Sequence, residues 1–311
     1  MSPIILHHYA TSPFSEKIRL ILGYKRVAWQ SVFIPQIMPK PDVVALTGGY
    51  RRTPFMQIGA HVYCDTALMC DELERRFPSP TLYPTDANAA VIDTLARWGD
   101  TELFWSGVVG YVFQPAGVAA MFDGVSPEAL KAFGADRAQM RAGAPRTPPP
   151  EAAGMLRIFL QRIEAMLSAQ PYLLSSAPSL ADFSVYHPLW FVRKVAPIAH
   201  IFDATPNVLA WMDRMAAIGH GEATKLSSAD AISIASNASP EIPEREWHDE
   251  HGLKRADRVT ITPLDYALDP VAGELVISAK NELAVRRVDP RAGDVVVHFP
   301  RVGFRMEREK I

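Results

Sequence analysis

The sequence predicts a small α/β domain, then an all-helical domain, then a small antiparallel β-barrel-like domain. Short apolar runs alternate with capped helical segments over residues 1–85. Strand signals disappear over residues 88–221, and five short strand-like runs follow within residues 253–311. A helix and a polar, proline-containing linker occupy residues 222–252. A chain of 311 residues is long enough for two or three such domains.

Composition and charge are those of an ordinary soluble globular protein. Apolar residues make up 48% of the chain, and the formal net charge is -2, which argues against a nucleic-acid partner. The N-terminus lacks the charged start and long apolar stretch of a signal peptide, and no apolar run approaches the roughly 20 residues that cross a bilayer. The two cysteines, Cys64 and Cys70, have no pairing framework or metal-ligand spacing. We therefore expect a cytoplasmic protein with no metal and no membrane partner.

The first region has the order strand, helix, strand, strand, strand, helix. Ser12 precedes Pro13 and a periodic apolar run, which is typical of a capped helix with proline at its first position. The strands are predicted at residues 3–6, 29–34, 55–58 and 62–64, and the helices at residues 13–23 and 65–76. A small mixed sheet with helices on its faces is the economical packing for these elements.

The later regions change periodicity twice. Helices are predicted at residues 90–112, 127–141, 150–167, 180–195, 207–218 and 227–237. Ser179 and Asp182 form a capping-box-like start for the fourth of these, and Pro188 lies inside it. Strands are predicted at residues 259–261, 274–279, 282–288, 295–299 and 302–306. Five short strands this close together suggest a small antiparallel barrel.

Four segments, in order, resemble the glutathione S-transferase family. Residues 12–19 are similar to the active-site segment of the serine-class tau, phi and zeta transferases, and residues 52–55 lie where that family enters a strand through a cis-proline. Residues 65–67 lie where the family binds the γ-glutamyl end of glutathione, and residues 179–182 resemble its second domain. The resemblance covers about residues 1–221. It implies a thioredoxin-like domain, an all-helical domain, a homodimer, glutathione as co-substrate and a small hydrophobic electrophile.

The resemblance identifies Ser12 as the residue that activates the thiol, with Tyr9 as the competing donor and a plain helix cap as the structural alternative. Lowering a thiol pKa from about 8.5 to about 6.5 requires ~2.7 kcal/mol of preference for the anion. A hydrogen bond to a charged group supplies ~1.5–3 kcal/mol, and a helix N-terminus adds roughly 0.3–1 kcal/mol. One serine at a helix start therefore supplies most of the effect. Serine at positions 12 and 15 also disfavours disulfide exchange through a thiol of the protein itself.

The resemblance also implies the residues that bind the substrates. The Thr53 backbone, turned by a cis bond to Pro54, is expected to pair with the cysteinyl unit of glutathione. Asp65 is expected to bind its α-ammonium, and Thr66 and the amides at the helix start its γ-glutamyl carboxylate. For the glycyl carboxylate we expect Arg52, ahead of Lys40. The aromatic side chains Phe14 and Trp105 are expected to contact the substrates, although core packing is the default role of aromatic residues on such a helix.

The region after Gly221 has no counterpart in this resemblance, and we interpret it as a binding or dimer-bracing module. The leading hypothesis is glutathione transfer to an electrophile, or glutathione-dependent reduction. One alternative is a non-catalytic glutathione-binding or interaction protein that keeps the fold, and another is a zeta-like isomerase. Fold class does not distinguish these three.

Overall fold

The first domain is a mixed sheet flanked by helices, as predicted; the computed structural model describes residues 2–309. Its strands are β1 (Ile4–His8), β2 (Trp29–Phe33), β3 (Phe55–Ile58) and β4 (His61–Cys64). Its helices are α1 (Pro13–Tyr24), α2 (Pro41–Thr47) and α3 (Thr66–Arg76). β1 is parallel to β2 and antiparallel to β3, and β3 and β4 form a hairpin. This is the thioredoxin-like arrangement that the sequence implies.

The second domain is helical. Its α-helices are α4 (Ala89–Trp98), α5 (Gly110–Val112), α6 (Pro115–Met121), α7 (Pro127–Arg141), α8 (Pro149–Met166), α9 (Leu180–Arg193) and α10 (Pro206–Ala216). A π-helical segment, Gly99–Val109, joins α4 to α5, so the predicted helix over residues 90–112 is one continuous helical segment. Ala196–Phe202 is a 3₁₀ helix. The capping box of α9 is present, since the Asp182 carboxylate accepts from both the amide and the hydroxyl of Ser179. Sequence patterns missed α6 and the 3₁₀ helix because short helices carry little periodicity.

The last region contains β5 (Ala223–Lys225), α11 (Ser228–Ser236), β6 (Arg258–Pro263), β7 (Val271–Ser278), β8 (Glu282–Asp289), β9 (Gly293–Pro300) and β10 (Phe304–Arg308). Strands β6 to β9 pair antiparallel in sequence, and β10 returns to pair with β6. The antiparallel region predicted from the sequence is therefore present.

The β-rich region is also joined to the sheet of the first domain, which the sequence did not predict. β9 pairs in parallel with β4 of the first domain, so that all ten strands form one sheet in the order β10-β6-β7-β8-β9-β4-β3-β1-β2-β5. The Val296 amide donates to the Ala60 carbonyl oxygen at 3.0 Å. The physical reason is that β4 would otherwise be an edge strand with unpaired backbone groups, and β9 satisfies them.

One hydrophobic core runs through all three regions. Leu6 of β1, Phe183 of α9 and Phe299 of β9 are fully buried members of the same cluster. Within residues 2–309, no single helix is long and apolar enough to span a bilayer. One pair, residues 89–112 with 115–121, meets the length and composition criterion only jointly, across an 83° bend.

Candidate active site

A cleft of about 1390 Å³ lies where the three regions meet. Its walls come from the first domain, from the helical domain and from the loop between β6 and β7. All the substrate-site residues expected from the sequence line this one cleft: Tyr9, Ser12, Phe14, Arg52, Thr53, Pro54, Asp65, Thr66 and Trp105. The structure thus brings together side chains that are spread over about 100 positions of the chain.

Ser12 is the N-cap of α1. Its backbone is extended, and its Oγ accepts a hydrogen bond from the Ser15 amide at 3.2 Å. The side chain is buried and lines the cleft. Among residues 2–309 the hydroxyl donates to no acceptor, so its proton is available to a ligand. The capping and donating roles are compatible because a hydroxyl accepts through a lone pair and donates through its hydrogen.

Tyr9 follows β1 and lies in the same part of the cleft. Burial raises the pKa of its phenol, which keeps the hydroxyl protonated at neutral pH. Tyr9 therefore stays chemically competent as the alternative donor to the thiolate.

The Thr53–Pro54 peptide bond is cis, as expected, and it leads directly into β3. Arg52 comes immediately before this bond. Its guanidinium donates to Asp265 Oδ1 at 2.6 Å and to the Tyr266 carbonyl oxygen, and lies 4.0 Å from Asp65 Oδ2. Its Nε and Nη2 are therefore engaged by the loop between β6 and β7, and its role toward a glycyl carboxylate stays a prediction.

Lys40 is a buried cation that lines the cleft. It is only 3% exposed, and within residues 2–309 its Nζ has a single long contact, 3.5 Å to the Arg51 carbonyl oxygen. Burial lowers its pKa from 10.5 to about 8, and the neighbouring Arg137 adds to the effect. A buried amine with so few hydrogen bonds would gain free energy from a ligand carboxylate.

Asp65 and Thr66 form the start of α3. Asp65 has φ 74°, in the left-handed region, and its Oδ1 accepts from the Ala67 amide at 3.0 Å. Burial raises the pKa of this carboxyl, and a cation placed beside Oδ2 would lower it again. The site therefore favours a ligand ammonium next to Asp65 and a carboxylate at the helix start.

A buried ionic cluster beneath Ser12 was not predicted from the sequence. Lys17 Nζ lies 2.7 Å from Asp100 Oδ2, and His187 Nε2 lies 2.9 Å from Asp100 Oδ1. Burial alone would raise the pKa of Asp100, but Lys17 and His187 hold it below its usual value. Gly99 permits this contact because a Cβ there would come within 2.8 Å of the Ser184 carbonyl oxygen on α9. No sequence pattern pairs residues that are more than 80 positions apart.

Comparisons with known proteins identify the family. Residues 6–81 match the model of the glutathione S-transferase N-terminal domain, and residues 151–214 match that of the C-terminal domain. The crystal structure of a GST-like protein from Pseudomonas syringae is 44% identical, covers 99% of this chain and 100% of its own, and superposes with a TM-score of 0.83. This chain belongs to the glutathione S-transferase family.

The names of two curated relatives of this glutathione S-transferase family member describe different roles. Pyrimidodiazepine synthase of Drosophila melanogaster is 27% identical over 115 residues, which is 31% of this chain and 47% of that protein. The chain thus spans about half the length of that relative. FtsZ-localized protein A of Caulobacter vibrioides is 27% identical over 184 residues, 58% of this chain and 72% of that protein.

The glutathione S-transferase fold places an aromatic row along one side of the cleft. Ring centroids are 4.8 Å apart for Phe14 and Phe104, 4.9 Å for Phe104 and Trp105, and 4.7 Å for Trp105 and Tyr266. Phe14 and Trp105 were expected here, whereas Tyr266 was not, because nothing in the sequence pairs the last region with the cleft. We call these four side chains the aromatic wall. Within residues 2–309 no group of three His, Cys, Asp or Glu side chains is arranged to hold a metal ion.

Proposed function

We propose that this chain is a glutathione transferase in which Ser12 activates the thiol for attack on a small hydrophobic electrophile, by conjugation or in a glutathione-dependent reduction. The observation that carries the proposal is the buried Ser12 hydroxyl, which keeps its proton for a ligand while its oxygen caps α1. The thiolate sulfur of glutathione would accept that hydrogen bond at the positive end of a 12-residue helix.

The remaining polar groups of the cleft fit the two ends of glutathione. The α-ammonium would lie beside Asp65, and the γ-glutamyl carboxylate would bind the Thr66 hydroxyl and the amides at the start of α3. The Thr53 backbone, at the entry to β3, would pair with the cysteinyl unit. Lys40 would take the glycyl carboxylate, since Arg52 is already held by Asp265.

The electrophile would occupy the apolar side of the cleft, next to Ser12. The aromatic wall begins there with Phe14, and further apolar side chains of the helical domain line the same cleft: Val109, Phe113, Val118, Phe122, Phe133, Trp190 and Phe191. Such a surface binds apolar ligands by removing their area from water.

Calorimetric titration of the full chain with glutathione tests the binding half of this proposal, and conjugation of chlorodinitrobenzene tests the chemistry. We expect the wild type to bind glutathione and to turn over the electrophile, and we expect Ser12→Ala to lose the turnover. Absence of binding at millimolar glutathione would overturn the proposal.

The second candidate is a glutathione-binding interaction protein without turnover. It is favoured by the likeness to a relative named for its localisation with FtsZ, and by the engagement of Arg52 with the last region. Glutathione binding without conjugation of any tested electrophile would support it. The isomerase alternative predicts that glutathione is required for the reaction but is not consumed in it. A cytoplasmic location and a homodimer stay predictions. Light scattering of the full chain measures whether it is a dimer.

A further inference from the structure

The loop between β6 and β7, residues 264–270, is fastened over the cleft at several points. Asp265 and the Tyr266 carbonyl bind Arg52, and Asp269 lies 3.1 Å from Arg51. The Ala267 amide donates to the Met140 carbonyl oxygen of α7 at 2.6 Å. The loop therefore joins the first domain to the helical domain across the cleft, and its side chains have defined positions there.

Tyr266 is the residue of this loop that completes the aromatic wall. Its ring packs on Trp105, so an unbroken row of aromatic rings runs from Phe14, two residues after Ser12, to the last region of the chain. Neighbouring ring planes are inclined by 68°, 81° and 46°, so an aromatic ligand would contact both edges and faces of the row. Aromatic rings gain from such contacts beyond the area that they bury.

The Tyr266 hydroxyl makes only a weak hydrogen bond within the protein. Its single partner among residues 2–309 is the Met140 sulfur, 3.6 Å away, and a thioether is a weak acceptor. Burial raises the pKa of Tyr266, so the group is a neutral donor at physiological pH. Tyr266 is half-buried, and a hydroxyl with such a weak partner gains free energy when a ligand offers an oxygen acceptor.

We infer that Tyr266 determines the specificity of the cleft for aromatic compounds that carry a carbonyl or similar acceptor oxygen. The ring selects the planar part of the ligand, and the hydroxyl binds its oxygen. The inference rests on the proposed function in taking the cleft to hold a second ligand beside glutathione. It also gives the last region a role: it supplies a wall of the substrate site.

Fluorescence titration with two naphthalene probes tests this assignment in the full chain. Prodan carries a ketone, and dimethylaminonaphthalene is the same ring system without it. We expect Tyr266→Phe to weaken prodan binding by about threefold to tenfold, the equivalent of one hydrogen bond, and to leave the ketone-free probe unaffected. Tyr266→Ala should weaken the ketone-free probe by about tenfold and prodan by more, because prodan loses both the ring contact and the hydrogen bond. Tyr172→Ala, which removes a half-buried ring that does not line the cleft, is the matched control and should change neither.

Binding and conjugation distinguish this inference from the proposed function. If glutathione is conjugated but the Tyr266 variants bind both probes as the wild type does, the inference is wrong and the proposed function stands. If the probes respond as expected but no thiol transfer occurs, the inference stands and the transferase proposal fails. Equal weakening in Tyr172→Ala would show a general loss of structure and would also overturn the inference.

Discussion

At the scale of single residues, Ser12 shows why a cap and a catalytic donor need not be alternatives. The Ser15 amide donates to a lone pair of the Ser12 hydroxyl oxygen, which leaves the hydroxyl hydrogen for a different acceptor. The position of the motif identified the residue. Only the structure shows that Ser12 lines a cleft and that its hydroxyl donates to no acceptor within residues 2–309.

Replacing Ser12 with Ala should raise the pKa of the bound glutathione thiol by about one unit or more, because the thiolate loses a charge-assisted hydrogen bond. Thiolate absorbance against pH in wild type and variant measures the shift. Ser227→Ala is the matched control, since Ser227 caps α11 in the same way, outside the cleft. Both variants lose a helix cap, worth about 1 kcal/mol of stability. Coinciding pH curves for wild type and Ser12→Ala would transfer the role to Tyr9.

Lys40→Gln should weaken binding of S-methylglutathione by about 1.5–3 kcal/mol, the value of a hydrogen bond to a charged group. Arg52→Gln should have a smaller effect on the glycyl carboxylate, because Arg52 is bound to Asp265. Lys40 is a cation below its pKa of about 8 and loses its charge above it. The affinity advantage of wild type over Lys40→Gln should therefore shrink as pH rises from about 8. The S-methyl ligand avoids thiol ionisation, and an advantage independent of pH would contradict this role.

At the scale of elements, the ionic cluster of Lys17, Asp100 and His187 ties α1 to the long helix and to α9. Lys17 is 1% exposed, so its charge has little access to water. The cluster fixes the orientation of the first domain against the helical domain, and with it the position of Ser12 relative to the aromatic wall.

Asp100→Asn should lower the free energy of unfolding by about 3–5 kcal/mol, since it leaves the Lys17 ammonium buried without its partner. Urea unfolding at pH 7 measures this loss. Asp213→Asn breaks the exposed pair with Arg193 and should have little effect. The folded-state pKa of Asp100 is depressed, so its contribution is present above the ordinary carboxyl pKa and is lost as pH falls through the depressed value. The difference from wild type should therefore narrow in acid, and a constant difference would contradict the ionic explanation.

At the scale of the whole molecule, the last region is part of the transferase core. β9 extends the sheet of the first domain, and the loop of residues 264–270 closes the cleft. Backbone pairing and a shared core cross the linker between α11 and β6.

A chain that ends at Asn237 should be insoluble, because it exposes the edge of β4 and the apolar surface that β9 covers. Expression yield and sedimentation of the truncated chain measure this. As a control, a protease site inserted at the exposed Glu241 allows the linker to be cut while both parts are present. The cut protein should stay associated and keep its glutathione affinity. A soluble truncated chain that binds glutathione would instead make the last region an add-on.

Much of this structure followed from the sequence alone. Local signals determined the helices and strands, since capping residues, prolines and hydrophobic periodicity act over a few positions. The order of four motifs indicated the family and the residues from Ser12 to Thr66 that line the cleft, because each motif has a fixed place in the fold.

Only the tertiary structure decided how the last region joins the rest. The pairing of β9 with β4, the capture of Arg52 by Asp265 and the contact of Tyr266 with Trp105 link residues more than 150 positions apart. Such contacts depend on which edge strand and which charge are left unsatisfied after the local elements have packed, and one sequence carries no local signal of that outcome. We propose Lys40 ahead of Arg52 for this reason, since the last region engages Arg52.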